Sequence, residues 1–594
     1  MRVIAGTSGN PLDYGPPTLN FTNFGTLSDS AATLNRNQSQ GITESITLLK
    51  GAHTLTFGGG YTRADLSTRT DPNGRGTFNF TGLLTSGVNV KGQPVAGTGY
   101  DLADFLLGLP QSSSVQYSDF SDYFRQNQAN GFAQDEWKAR PDLTITLGLR
   151  YEYFSPLNEK YGHLANLDIA PGFTRVAVVT PGATGPYSGT FPSGLINPDF
   201  NNWSPRLGLA WKLPGNKRST VFRAGYGIYY NGQAYIPFAT SFANQPPFAV
   251  ARSVNTSAAN LLTLSDGLIM ALPRDVTNTF AVDRNYRTPY AGTWNASIQH
   301  EFGGGFFAEA GYLGTKGTRL DIRSLPNEPP PGSPRTLGQG NQFGNAVGFT
   351  YDQSNGDSIF HALQLRLMRR FNRGLSINGF YQFAKSIDDS SSFGGAGNTV
   401  AQNWLDLSAE RGLSSFDVRH EFSSGFVWTS PAGAPRSRIA ADTTLGRLLK
   451  DWRLSGTVTA QTGNPLTARI LGNTQRLAQT AGIGSGRAEA TGLPVDSGSG
   501  FFNLAAFTTP APGTYGNAAR NTIPGPGLIN LNLAFGRSFN LAERRRVEFR
   551  LESNNVLNHV NYTSLYTVVN AVNYGLPSAA ASMRTLQAVV RFRF

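Results

Sequence analysis

The last eleven residues, Arg584–Phe594 (R-T-L-Q-A-V-V-R-F-R-F), alternate with a period of two. Leu586, Ala588, Val590, Phe592 and Phe594 share one parity, and Thr585, Gln587, Val589, Arg591 and Arg593 share the other. Successive side chains of a strand point to opposite faces, so this stretch is a strand with one apolar face and one polar, basic face. It closes on an aromatic ring. Such a last strand suits a transmembrane barrel, where it closes the sheet and the ring sits among lipid headgroups. An edge strand of a soluble sandwich alternates in the same way, so the rest of the chain has to discriminate.

The pattern recurs along the sequence. Leu143, Ile145, Leu147, Leu149, Tyr151 and Tyr153 oppose Thr144, Thr146, Gly148, Arg150 and Glu152. Leu207, Leu209 and Trp211 oppose Arg206, Gly208, Ala210 and Lys212, and comparable runs follow around Tyr226, Trp294, Tyr381, Phe426, Leu533 and Phe549. A period of two over short runs means strands. Aromatic residues of the apolar parity fall near strand ends (Tyr151, Tyr153, Trp211, Tyr230, Trp294, Trp428), as in two interfacial girdles.

The connections have a rhythm of their own. Short ones at 50–52, 139–141, 213–218, 303–305, 372–374 and 540–543 alternate with long ones near 66–112, 155–203, 231–289, 321–357, 388–415, 462–527 and 557–583. The stretch 430–449 takes a short one's place but is longer. Outer-membrane barrels alternate tight periplasmic turns with long outer loops in this way, and compact soluble domains seldom hold so many long loops. The expected fold is all-β, a transmembrane antiparallel barrel. About 15 strands pair along the chain, Thr18–Phe24 is a candidate sixteenth, and Phe594 falls on the periplasmic side. Tyr100–Leu107, stopped by Gly108 and Pro110, is the one expected short helix; Pro-rich 326–334 and Gly/Ser-rich 390–397 and 484–500 are expected coil.

Composition closes off other classes. The 594 residues contain no cysteine, which removes disulfides, thiolate metal sites and cysteine nucleophiles. The net charge of +12 comes from scattered Lys and Arg, with Arg544–Arg546 the only triple, so no nucleic-acid partner is expected. No apolar run reaches the ~18 residues of a transmembrane helix, and the opening M-R-V-I-A-G-T-S-G-N-P lacks the apolar core of a signal peptide. The six histidines form no HxxxH pair, Gly311–Gly317 lacks phosphate-loop spacing and no G-x-S-x-G occurs. No catalytic site, metal or cofactor is expected. Asp352–Asp357 and Asp388-Asp389 are expected to be solvated loop charge rather than a calcium loop. Arg150, Arg206, Arg223, Arg366 and Arg550, with Glu152, Glu301, Glu548 and Glu552, fall on the inward parity and are expected to solvate a lumen and pair across strands.

Several stretches resemble a known family. N-F-T-N-F-G-T-L-S-D (20–29), K-G-A-H-T-L-T-F-G-G (50–59), D-L-A-D-F-L-L-G-L-P (101–110), L-T-I-T-L-G-L-R-Y-E-Y (143–153) and N-N-W-S-P-R-L-G-L-A-W (201–211) resemble Oar-like TonB-dependent outer-membrane transporters. So do Y-L-G-T-K-G-T-R-L (312–320), A-E-R-G-L-S-S-F-D-V-R-H-E-F (409–422), W-R-L-S-G-T-V-T-A-Q-T-G-N-P (452–465) and G-N-A-A-R-N-T-I-P-G-P-G (516–527), in the family's order. The resemblance implies a barrel of about 22 strands with a plug inside it, in the outer membrane of a Gram-negative bacterium. It implies that residues 18–594 are the barrel portion and 1–17 a remnant or disordered start, with plug, TonB box and signal peptide expected upstream. The implied partners are outer-membrane lipid, the TonB–ExbB–ExbD complex, the assembly machinery that reads the last strand, and a large ligand such as an oligosaccharide, siderophore or peptide. Two other readings stay open on the residues alone: a passive porin, and a secreted soluble β-rich adhesin.

Overall fold

The computed structural model describes residues 14–29, 33–69, 73–88, 95, 98–118, 121–215, 218–256, 261–268, 276–326, 345–346, 349–372, 374–391, 401–432, 443–470, 486–496, 500–511, 514–542 and 545–594. Most of the expected remnant, and most of the Pro-rich and Gly/Ser-rich coil, lie outside them.

Eighteen strands join in one sheet. Three are short additions (Asn158–Glu159, Phe280–Val282, Gly412–Leu413), and the other fifteen make an antiparallel meander in chain order. These are β1 (Leu34–Lys50), β2 (His53–Arg69), β3 (Asp122–Arg140), β4 (Leu143–Phe154), β5 (Trp203–Lys212), β6 (Thr220–Tyr230), β7 (Tyr290–Glu301) and β8 (Phe306–Ser324). They continue as β9 (Thr350–Asn372), β10 (Leu375–Asp388), β11 (His420–Thr429), β12 (Trp452–Gln461), β13 (Leu528–Ala542), β14 (Arg545–Asn554) and β15 (Thr585–Arg593). Each pairs with the next from β1 to β15. The fold is the expected all-β antiparallel wall. Among the described residues no helix is long and apolar enough to cross a membrane.

The tight turns follow from local chemistry. Gly303, Gly304 and Gly305 all take positive φ, 76°, 64° and 82°, between β7 and β8, a run that side chains with a Cβ resist. The long connections leave from the opposite end, and two strands reach into one of them. The connection expected over 321–357 is shortened at both ends, because β8 runs on to Ser324 and β9 begins at Thr350. Consequently Asp352–Asp357 is strand, not loop, and Asp352 is fully buried opposite Arg323. Cross-strand pairing overrode the turn-like composition there.

Thr18–Phe21 is a strand but not a sixteenth stave. It pairs in parallel with Asn73–Phe80, in a separate four-stranded sheet completed by Ser112–Tyr117 and Val250–Asn255. The expected helix forms as α1 (Asp101–Leu106). Two unexpected ones form as well: α2 (Ile236–Ala243) in a long connection, and α3 (Thr444–Leu449) in the long member of the short series.

Among the described residues the apolar cores lie mainly in the connections, and only strand tips at that end of the wall, such as Phe124 of β3, Phe154 of β4 and Tyr351 of β9, join them. One gathers Leu164, Phe191, Leu195 and Ile196 around Phe238 and Phe242 of α2; a second gathers Ile470, Phe502, Phe507, Ile523 and Leu565. The long connections are therefore a packed roof over one end of the wall.

Candidate functional site

Register fixes which side chains share a face of the wall. Leu147 faces Leu207 and Leu207 faces Tyr226, while Thr146 faces Gly208 and Gly208 faces Gly225. The apolar parity is exposed: Leu207 53%, Leu586 65% and Val590 64%. It carries two aromatic belts. At the roof end Tyr151 meets Trp203 at 4.8 Å and Tyr230 meets Tyr290 at 5.3 Å; at the turn end Trp452 stacks on Phe535 at 4.5 Å. Rings at two levels of an apolar band are the girdles of a lipid-facing surface.

The polar parity lines concave space. Asn295, Glu309, Gln364 and Arg366 surround a cavity of about 250 Å³ midway along β7–β10. Nearer the tight turns, Arg453, Arg546 and Arg550 share a cavity of about 390 Å³ with Asp451 and Glu548. The inward ion pairs differ from expectation. They run along a strand rather than across it: Arg150 Nε lies 2.9 Å from Glu152 and Arg550 Nε 2.7 Å from Glu552. Residues two apart on one strand share a face, so each arginine satisfies its own neighbour. Arg206 instead lies over the Tyr229 ring at 4.9 Å, and Arg223 donates to Gln299 at 3.0 Å.

Buried charge ties the roof to the wall. Asp199, fully buried, accepts from Arg287 at 3.1 Å and lies 3.6 Å from Arg319. Arg319 sits at a register shift in β8 with φ +60°, and this bulge brings a wall residue to a roof carboxylate. Arg520, 1% exposed, donates to the Asp388 carboxylate and to the Ser391 carbonyl. Arg487 and Glu410, both buried, meet at 3.3 Å. The expectation of solvated charge at Asp388 and Asp352 is thus overturned: each is buried and held by an arginine.

Burial acts on these carboxyls in opposite net directions. At Asp388 burial pushes the pKa up, but Ser414, the Ser391 N–H and Arg520 bond the charged form and bring it below the usual carboxylate range. At Asp352 burial outweighs Arg323 and the pKa is pushed up to about 7, with Asp321 nearby also raised by burial. Asp321 accepts from the Tyr286 hydroxyl. Among the described residues no group of three His, Cys, Asp or Glu side chains stands ready for a metal.

The five residues singled out in the last strand share the apolar parity. Leu586, Ala588, Val590 and Phe592 face Ser553, Leu551, Phe549 and Val547 of β14, and Phe594, 94% exposed, stands just past β15 with its ring 5.9 Å from Phe592. Arg593 pairs with Arg546 beside the tight turn, so Phe594 is at the tight-turn end, as expected. The roof's charge locks were not legible beforehand. Their partners are far apart in the chain, and no short-range signal joins them.

Comparison with known proteins fits this geometry. The outer membrane transporter YddB from Escherichia coli superposes with a TM-score of 0.51 at 12% identity, over 97% of this chain and 58% of that one. The ferripyoverdine receptor of the outer membrane of Pseudomonas aeruginosa matches at 0.43 and 10% identity, over 95% of this chain and 49% of the other. The ferric-catecholate import receptor Fiu from E. coli matches at 0.42 and 11%, over 95% and 55%. This chain thus spans about half to three fifths of their length. No curated protein sequence matches it significantly. A family model described as an outer membrane beta barrel domain matches residues 2–587, and the chain belongs to that family.

Proposed function

We propose that this chain forms most of the wall and roof of a TonB-dependent outer-membrane transporter that takes up a large ligand. The observation that carries the reading is the roof. Its long connections pack around their own apolar cores and are pinned by buried Arg520–Asp388 and Arg487–Glu410 pairs over a polar concave wall. That is a preorganised capture surface above a wide polar passage, not a set of open loops. The likeness to YddB, named an outer membrane transporter, supports it. Oar-like kinship, energy coupling through TonB–ExbB–ExbD and the ligand class belong to the same proposal, as does the role of the Phe594 strand in assembly.

The edges of the wall weigh against a passive porin built from these strands alone. An odd number of antiparallel strands leaves β1 and β15 running in the same direction, and no pairing joins them among the described residues. Unpaired backbone groups cost several kcal/mol each in lipid, and we propose that an odd number of further strands joins these two edges, as antiparallel closure requires. A barrel of about 22 strands would supply seven.

The reading frame upstream of Met1 and the conductance of the mature protein test this together. An in-frame plug with a TonB box, and no steady current in planar bilayers, are the expected results. A stable open pore with no plug encoded upstream supports the porin instead.

A further inference from the structure

The connection between β11 and β12 is the long member of the tight-turn series, and its described end folds into α3. Thr443 caps the helix, its hydroxyl accepting from the Gly446 N–H at 3.0 Å. Leu445, Leu448 and Leu449 fall at positions i, i+3 and i+4, which is one stripe of a helix. The stripe is exposed: the three are 57%, 63% and 37% accessible, while Gly446 is buried. Three leucines in contact with water at a connection are unfavourable unless something apolar covers them.

The helix is fastened on the lipid-facing side of the wall. Trp452 donates its indole N–H to the Leu448 carbonyl at 2.9 Å, and Arg537 donates to the Arg447 carbonyl. The Arg537 guanidinium also lies over Trp452 at 5.5 Å and over Phe539 at 4.7 Å. Trp452, Phe535, Arg537 and Phe539 all belong to the apolar parity, at the level of the tight-turn girdle. The leucine stripe thus continues an established lipid-facing surface. Arg447 and Lys450 sit beside it, where cations meet lipid phosphates.

We propose that α3 is an interfacial anchor lying in the periplasmic leaflet of the outer membrane. Leu445, Leu448 and Leu449 sink among acyl chains, and Arg447 and Lys450 engage phosphodiester headgroups. The occupant of this face is phospholipid. A narrow stripe flanked by cations and continuous with a girdle suits a membrane surface, whereas a protein partner would need area beyond the helix. The proposal rests on the membrane location of the wall.

The absence of cysteine makes the test clean. Single variants Leu448→Cys, Leu445→Cys, Leu207→Cys and Ala52→Cys of the full chain are labelled with an environment-sensitive thiol dye. Each is reconstituted in vesicles of phosphatidylethanolamine and phosphatidylglycerol carrying nitroxide-labelled lipid. Leu207 is the wall-face reference and Ala52, exposed in a tight turn, the water reference. The expected result is blue-shifted emission and lipid quenching at Leu448 and Leu445 comparable with Leu207 and several-fold above Ala52. Quenching at Leu207 with water-like signals at both leucines overturns the anchor and leaves the membrane wall standing. Water-like signals at all four positions overturn both.

Discussion

Arg520 donates to both the carboxylate and the backbone carbonyl of Asp388, across 132 positions of sequence. The pair joins the outer end of β10 to the connection that precedes β13, so one contact fixes two long connections relative to each other and to the wall. Removing the arginine leaves a buried carboxylate without its counter-charge, a loss of roughly 3–5 kcal/mol. Arg520→Met should therefore open the roof and leave the wall folded. Limited proteolysis is expected to cut near 388–415 and 514–527 much faster, while heat-modifiable migration on gels stays as in the parent. Loss of both sinks this separation of roof from wall.

The same pair sets an acid limit. The Asp388 pKa is depressed in the fold, so its stabilising contribution is complete above the ordinary aspartate value and fades as pH falls through the folded one. Loosening of the roof below about pH 4 is expected in the parent. Protease sensitivity that does not change between neutral pH and that acid range would contradict it.

Asp352 works with the opposite sign. Arg323, its register partner, lies 17 positions beyond Phe306; at ~3.3 Å per residue and a tilt of ~40° this is ~43 Å, above an apolar band of ~25 Å. A buried carboxyl raised to about 7 is held neutral by the fold, so its stability is full near pH 4 and is lost as pH rises towards 7. Hydrogen exchange in 280–286 and 349–353 should speed up between pH 5 and pH 8, beyond the intrinsic rate change. Asp352→Asn should remove that excess; an unchanged pH profile in the variant would assign it to another group.

Parity makes a sharp comparison. Leu207 has Leu147 and Tyr226 as register partners, and an arginine there meets only apolar neighbours, at roughly 2–4 kcal/mol near the midplane. Leu147 is a poorer choice because Asp135 stands opposite it and would shelter an arginine. Leu207→Arg should lose heat-modifiability, and Thr146→Arg, on the concave face, should keep it. Equal behaviour of the two variants would refute the assigned faces.

The last strand can be tested in cells. Deleting Phe594 ends the chain on Arg593, a residue of the polar parity, whereas Phe594→Tyr keeps an amphipathic ring. Outer-membrane levels of the full-length parent should fall sharply on deletion and stay near normal with tyrosine. A deletion that reaches the membrane normally would deny the strand an assembly role.

The wall was legible because its rules are local. A side-chain period of two put Leu207 and Val590 on one face, and turn chemistry placed Gly303–Gly305 between strands. The roof was not, because its contacts ignore sequence distance. Thr18–Phe21 looks like one more stave, yet it aligns in parallel with Thr77–Phe80 through a crossover that no local pattern encodes. Asp352–Asp357 has the composition of a turn, but β8 supplied a partner and drew it into β9. The six residues of α3 are too few for a helical period to stand out.

Gathering the apolar cores at the roof, with only strand tips joining them, gives the roof and the membrane-spanning wall different solvents. The wall is held by a continuous ladder of backbone bonds and by lipid, neither of which depends on expelling water from between side chains. The roof depends on that expulsion, through Phe238, Phe242, Phe502 and Ile523. Urea should therefore dismantle the mouth at concentrations the stave assembly ignores, leaving membrane-embedded staves with an unravelled rim. Chaotropes would then act on capture and retention independently, as though on two proteins sharing one chain.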